Sequence, residues 1–476
     1  MGMHDRGRHQ VPAALAGADT STPAVVLKLD PNVLHHGGLG VIRSLGRMGV
    51  PVYGVHEGPL APAASSRYLH GRCFWQPGAA AWDRIRDGLM ALAERIGRPA
   101  VLLPTDDAGA IFLAEHGADL RASFIFPDPP AGLPREVAGK YSLHELSRRL
   151  GVPSPAAQVP ESAAAARAFA ARAGYPLIAK LSTPWQDGRL RSTSIVTTRN
   201  ELDRVVEDCA RAGAGLMLQE FIPGGPGTDW FFHGYCNASS TCRPAFTGVK
   251  ERSYPAHAGL TSLGRSEPNA ALRDQVTGLL AALGYRGILD MDLRLDRRDG
   301  EYKLLDFNPR LGAQFRLFRT TAGLDVATAA YLDLTGTAIG DGEQAAGRRF
   351  LVENYDPLGA LGYWRRGELS PVSWLRSLRG IDEVAWFARD DLRPFGLMCL
   401  RMGWRLASRP ARRLSAVRSH QDRTRDRGRD RGQGDDFRLT GGRAARTASR
   451  DQGRETRPVT ALRPQRPQAS KKGARA

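Results

Sequence analysis

At 476 residues the chain is too long for one compact core, so two or three domains are expected. Its 42% apolar content is ordinary for a soluble globular protein, and no apolar run is long enough to cross a bilayer. The formal net charge of +18 is concentrated at one end, since residues 409–476 hold 20 basic and 7 acidic residues; charge of that kind gives salt-sensitive, sequence-blind affinity, and no specific nucleic-acid partner is expected.

Residues 1–23 are polar and Ala-rich, lack a secretory apolar stretch, and read as a disordered leader. The segment Ala24 to Leu29 is a strand, Gly37-Gly38-Leu39-Gly40 a glycine-rich turn, Val41 to Gly46 helical and Pro51 to Val55 a second strand. This is a βαβ unit whose turn would present backbone N–H groups to an anion. The glycine spacing is not a dinucleotide fingerprint. A helix from Ala81 to Ile96 and a strand from Ala100 to Leu103 follow, the strand ending at the polar cluster Thr105-Asp106-Asp107. Open α/β sheets bind ligands at such strand ends.

Val137 to Leu150 reads as one amphipathic helix stopped by Gly151 and Pro153, and Glu161 to Ala173 as another stopped by Gly174. Strands are expected at Tyr175 to Leu181, Ile195 to Thr198 and Gly215 to Ile222, with a polar loop over Ser182 to Ser194. A helix runs over Asn200 to Arg211 with Asn200 as N-cap. Further strands are expected at Asp229 to Asn237 and Arg243 to Lys250, and a helix at Ala271 to Leu283. The segments Leu289 to Leu293 and Leu304 to Asn308 flank the polar turn Arg297-Arg298-Asp299-Gly300, which makes a hairpin. Alternate strand residues share a face, so the hairpin sets Asp292 beside Asp306 and Asn308, with Arg310 just past the strand end. Three hard oxygen ligands suit Mg²⁺ held against phosphates, and a guanidinium suits a phosphate or carboxylate oxygen.

Four tryptophans interleaved with arginines lie in 350–407. A packed helical appendage is favoured there over a membrane-surface helix. Beyond Arg409 the Arg/Asp/Gly/Gln-rich sequence cannot bury a core and is expected to be a disordered basic tail. The five cysteines form no Cys-x-x-Cys pair, which argues against a zinc site or disulfide framework and fits a reducing cytoplasm.

The run Asp306-Phe307-Asn308-Pro309-Arg310, with Asp292 upstream, resembles the ATP-grasp superfamily. The resemblance implies an α/β chain: a Rossmann-like domain over 24–128, then a two-lobed α+β ATP-grasp fold over 129–340 with its hinge near 219–224. It implies ATP and Mg²⁺ (Mn²⁺ being an alternative) as cofactors, with Asp292, Asp306 and Asn308 on the metal. Lys140 and Lys180 would contact the α- and β-phosphates. Gln219, Glu220 and Ile222 map onto the adenine hinge, and Asp229 onto a ribose-binding acid. Arg310 would stabilise the transferring phosphoryl group or the acylphosphate. Lys250 and Arg252, two apart and so on one strand face, would reach the γ-phosphate or a substrate carboxylate. The implied activity is ATP-driven joining of a small-molecule carboxylate to an amine, by a homodimer. A carboxylase, a kinase, and a nucleotide-gated binding protein that uses its tail on anionic surfaces are the rivals. The sequence departs from the family in the loop Ser182 to Ser194, which holds a single glycine, and at Asp306, where Glu is commoner.

Overall fold

The computed structural model describes residues 18–75, 82–181, 193–257, 259–340 and 342–407. The basic tail, the loop at 182–192 and most of the leader therefore lie outside the described residues. The first elements are β1 (Ala24–Leu27), α1 (Gly37–Arg47), β2 (Val52–His56), β3 (Leu69–Phe74), α2 (Trp82–Ile96), β4 (Ala100–Pro104), α3 (Asp107–His116) and β5 (Phe124–Ile125). They form a parallel sheet in the order β3-β2-β1-β4-β5. Strand β1 is apolar throughout and buried on both faces, as a central parallel strand must be. The glycine run is not a turn; it is the first turn of α1. A Cβ on Gly40 would stand 2.6 Å from the Phe315 ring, so glycine there lets the 313–316 segment approach the helix. Thr22, expected in a disordered leader, accepts a hydrogen bond from the Tyr331 hydroxyl at 2.7 Å.

The next elements are α4 (Leu133–Ala138), α5 (Lys140–Leu150), β6 (Ala157–Gln158), α6 (Ala163–Ala173), β7 (Leu177–Leu181), β8 (Thr193–Val196), α7 (Arg199–Ala212) and β9 (Leu216–Glu220). The strands make an antiparallel sheet, β6-β9-β7-β8, packed on α6 and α7 through Phe169, Leu177, Leu202 and Leu218. The single helix expected over Val137 to Leu150 is broken at Gly139, whose ψ of 128° is extended. Lys140 thus opens α5. Thr198, not Asn200, caps α7, its hydroxyl accepting from the Glu201 N–H.

The third group is β10 (Asp229–Cys236), β11 (Cys242–Tyr254), β12 (Leu260–Ser266), α8 (Ala270–Ala282), β13 (Gly287–Asp296), β14 (Glu301–Asn308), α9 (Val326–Leu334), β15 (Arg349–Leu351), α10 (Asp356–Arg365), α11 (Pro371–Ser377), β16 (Glu383–Val384) and α12 (Arg393–Ala407). One seven-stranded sheet runs β14-β13-β10-β11-β12-β15-β16. The expected β13–β14 hairpin is present, its turn closed by Gly300 at φ +78°. The segment after 350 is not a purely helical appendage, because β15 and β16 extend this sheet. Its Trp386 is completely buried in a core shared with Val26, Leu39, Phe315, Tyr331 and Phe350. Arg43 of α1 is sealed beside it, donating to Asp391 Oδ2 at 3.0 Å and to the Trp386 and Asp391 carbonyls. The end of the described chain thereby clamps the first domain.

Candidate active site

The register of the β13–β14 hairpin places Asp290 opposite Asn308 and Asp292 opposite Asp306. Four oxygen-bearing side chains thus come from two adjacent strands. Antiparallel pairing holds opposed Cβ atoms roughly 5 Å apart, close enough for a shared cation. Asp292 and Asp306 keep 28% and 27% of their side chains accessible, enough for a ligand to reach them.

Basic groups close on these acids from three elements and from the segment just past β14. Lys140, at the start of α5, pairs with Asp306. Lys180 on β7 donates to the Leu305 carbonyl at 3.3 Å. Lys250 on β11 pairs with Asp292 at 2.8 Å. Arg310 bridges Asp290 at 3.1 Å and Asp107 of α3 at 3.3 Å. Lys140, Lys180, Lys250 and Arg310 therefore face Asp107, Asp290, Asp292 and Asp306, and their formal charges cancel.

The electrostatics follow from this crowding. Burial would raise the Asp306 carboxyl, but Lys140 and Lys180 outweigh it and hold the group below the usual carboxylate range. Asp290 is likewise raised by burial but drawn down to about 2 by His233, Arg310 and Lys250. Asp292 goes the other way: burial, aided by the neighbouring acids Asp290 and Asp306, outweighs Lys250 and pushes it up. Lys250 and Lys140 are raised, their acid partners overcoming burial. Lys180, buried and without a direct carboxylate among the described residues, is lowered by burial, with a further push from Lys140. It is the cation with most to gain from an added anion.

The residues expected at a hinge are joined to the β13–β14 hairpin by arginines. Gln219 is buried in β9, and Ile222 is buried just beyond it. Glu220 accepts from Arg298 at 2.7 Å, and Arg294 pairs with Asp229 while donating to the Ile222 carbonyl at 2.9 Å. The β13–β14 hairpin and its turn thus tie residues 220–222 to the strands that carry the acid cluster. Arg252 is not brought to the site. Bulges at Lys250/Arg252 and Arg252/Ser253 break the strand's alternation, and Arg252 turns away into a buried bidentate pair with Asp356 at 2.8 and 2.9 Å.

Two participants were not foreseen. Asp290 was visible two residues before Asp292, but its partner His233 carried no signal in the sequence. Only the β10–β13 register sets His233 opposite it, at 3.1 Å. Asp107 stood in the polar strand end already noted, though nothing local paired it with Arg310.

Among the described residues no group of three or more His, Cys, Asp or Glu is gathered tightly enough to hold a metal unaided. Mg²⁺ is commonly held by one or two carboxylates together with phosphates and water. Asp292, Asp306 and Asn308 are the side chains whose oxygens could hold such an ion, with Lys140, Lys180 and Lys250 placed around them.

No family model matches the chain. It is 24% identical over 240 residues to the D-aspartate ligase of Enterococcus faecium, which covers 48% of this chain and 56% of that protein. It is 26% identical over 235 residues to the carbamoyl phosphate synthase large chain of Deinococcus radiodurans, covering 47% and 22% respectively. The chain thus spans little more than half the length of one curated relative and about a fifth of the other. Among solved structures, an ATP complex of carboxyaminoimidazole ribonucleotide synthase from Aspergillus clavatus superposes with TM-score 0.51 at 14% identity, covering 69% of this chain and 81% of that one. The MgADP- and bicarbonate-bound biotin carboxylase domain of Hydrogenobacter thermophilus 2-oxoglutarate carboxylase gives TM-score 0.50 at 15% identity, covering 68% and 72%. These likenesses carry the fold.

Proposed function

We propose that this chain, which has the ATP-grasp fold, is an ATP- and Mg²⁺-dependent ligase that phosphorylates a carboxylate and joins it to an amine. The observation that carries the reading is the hairpin pair Asp292/Asp306, flanked by Asn308 and ringed by Lys140, Lys180, Lys250 and Arg310. Mg²⁺, when bound, neutralises phosphate charge and polarises the γ-phosphoryl group.

The chain's own residues do the rest. Lys140 and Lys180 exchange their present partners for the α- and β-phosphates. Gln219, Glu220 and Ile222 line the adenine edge, and Asp229 takes the ribose. Lys250 and Arg310 hold the transferred phosphoryl group and the carboxylate in line, and their fixed charges stabilise the acylphosphate as it forms. Asp290 and Asp107 orient Arg310 from behind. An amine then attacks the acyl carbon, and phosphate leaves. Phosphoryl transfer of this kind needs positioning and charge neutralisation more than a general base.

We place the nucleotide-binding halves in 129–340, with the first domain over 24–128 presenting the acceptor. The free thiols among the described residues suit a reducing cytoplasm. ADP release from Mg²⁺-ATP, measured against a panel of amino acids, small carboxylates, bicarbonate and amines, tests the reading. Release triggered by a panel member and lost in Asp306→Ala supports it. Release with bicarbonate alone turns the reading to a carboxylase, and nucleotide binding without release from any member rejects ligation of those substrates.

A further inference from the structure

Helix α12 is apolar on two sides, yet the protein covers only one. Its inner side packs through Met398, which is 3% exposed, with Phe395 and Met402 partly buried against the same core. The outer side presents Gly396, Cys399, Leu400, Gly403, Trp404 and Ala407, which line one open groove. Leu400 is 70% exposed and Trp404 72%. Leu392, 55% exposed, precedes the stripe, and the Leu60 carbonyl accepts from Arg401 at 2.8 Å, which brings a further exposed leucine alongside. More than half of the exposed large apolar side chains among the described residues lie in 350–407. Patches of this kind mark interaction surfaces.

Charge selects the occupant. Helix α12 carries Arg393, Arg401 and Arg405 and no acid, and by sequence the chain continues into 68 residues of net charge +13. A second copy on this stripe would set arginines against arginines across a two-fold axis. An anionic lipid surface would take the apolar stripe into its headgroup boundary and the arginines among its phosphates. We propose that α12 is a membrane-surface helix, which docks the protein on anionic lipid through Leu400 and Trp404. No helix among the described residues is long and apolar enough to cross a membrane, so the attachment is peripheral.

Flotation of the full-length protein with vesicles tests this, using phosphatidylcholine alone and phosphatidylcholine mixed with phosphatidylglycerol, at low and high salt. The comparison is with Leu400→Glu/Trp404→Glu, both fully on the surface, and with a milder Trp404→Ser. Wild type should float with the anionic vesicles only. The double variant should lose at least about tenfold in partitioning, since it removes the apolar part of the attachment and adds repulsion. ADP release in solution should be equal in all three proteins. Equal flotation of wild type and double variant would overturn the proposal, because the basic tail alone would then suffice. Absence of wild-type flotation would overturn it too. So would a wild-type dimer that the double variant converts to monomer, which would assign the stripe to a second copy.

Discussion

Two clusters of ion pairs in this protein use the same chemistry to opposite ends. At the clamp, Arg43 and Asp391 leave 0% and 1% of their side chains accessible, and Asp391 accepts from Ser66 as well as from Arg43. Neither charge can be reached by a ligand. In the candidate active site Lys140, Lys250, Asp292 and Asp306 pair just as directly but remain partly open, and Lys180 has no carboxylate of its own among the described residues. A sealed pair that no ligand can reach holds elements together. An open, neutral but rearrangeable set can trade partners for phosphate and metal without a large change in total charge.

Breaking one partner separates the two most sharply. Arg43→Ala leaves Asp391 buried without its main counter-charge and should cost about 3–5 kcal/mol in urea unfolding. Arg252→Ala, which strands Asp356, should do the same while residual ADP release per folded molecule is unchanged. Asp306→Ala should show the reverse pattern. ADP release should fall by about 10²–10³, in the range of lost transition-state electrostatic contacts. Its melting temperature should move little, because Lys140 can turn to water.

Ligand linkage sharpens the contrast. Mg²⁺-ATP at about 100 times its dissociation constant should stabilise the wild type by about 2.7 kcal/mol in thermal unfolding. Asp306→Ala should lose most of that gain, and Arg43→Ala should keep it from a lower starting point. The smallest expected effect concerns Asp390. Burial opposes its ionisation, but Arg47 and the Tyr68 hydroxyl outweigh that and hold its carboxyl below the ordinary value of 3.8. A depressed acid contributes stability above its unfolded pKa and loses it as pH falls toward the folded one. Stability should therefore drop below about pH 4 more steeply in wild type than in Asp390→Asn.

Much of the site was legible because it is local. Two short strands around an Arg-Arg-Asp-Gly turn dictate that Asp292 faces Asp306, since side-chain alternation and hairpin pairing need no distant information. Arg252 shows where that logic stops. The same alternation put it beside Lys250, but two bulges re-aimed it, and bulges leave no dependable mark in a single sequence. His233 and Asp107 reach the site from other elements. Nothing within several residues of either specifies a partner.

The sequence by itself determined the βαβ pattern of the first sheet, the hairpin with its metal-suited oxygens, and the lysine set among the apolar residues of β7. These rest on periodicity, turn residues and charge, which act over a few residues. Only the tertiary structure decided which cations face which acids, that Gly37 to Gly40 begin a helix under Phe315, and that the chain after 350 returns to complete the sheet and seal Arg43. Those outcomes depend on packing between residues hundreds of positions apart, where a pairing is selected by burial and shape rather than by neighbours in the chain.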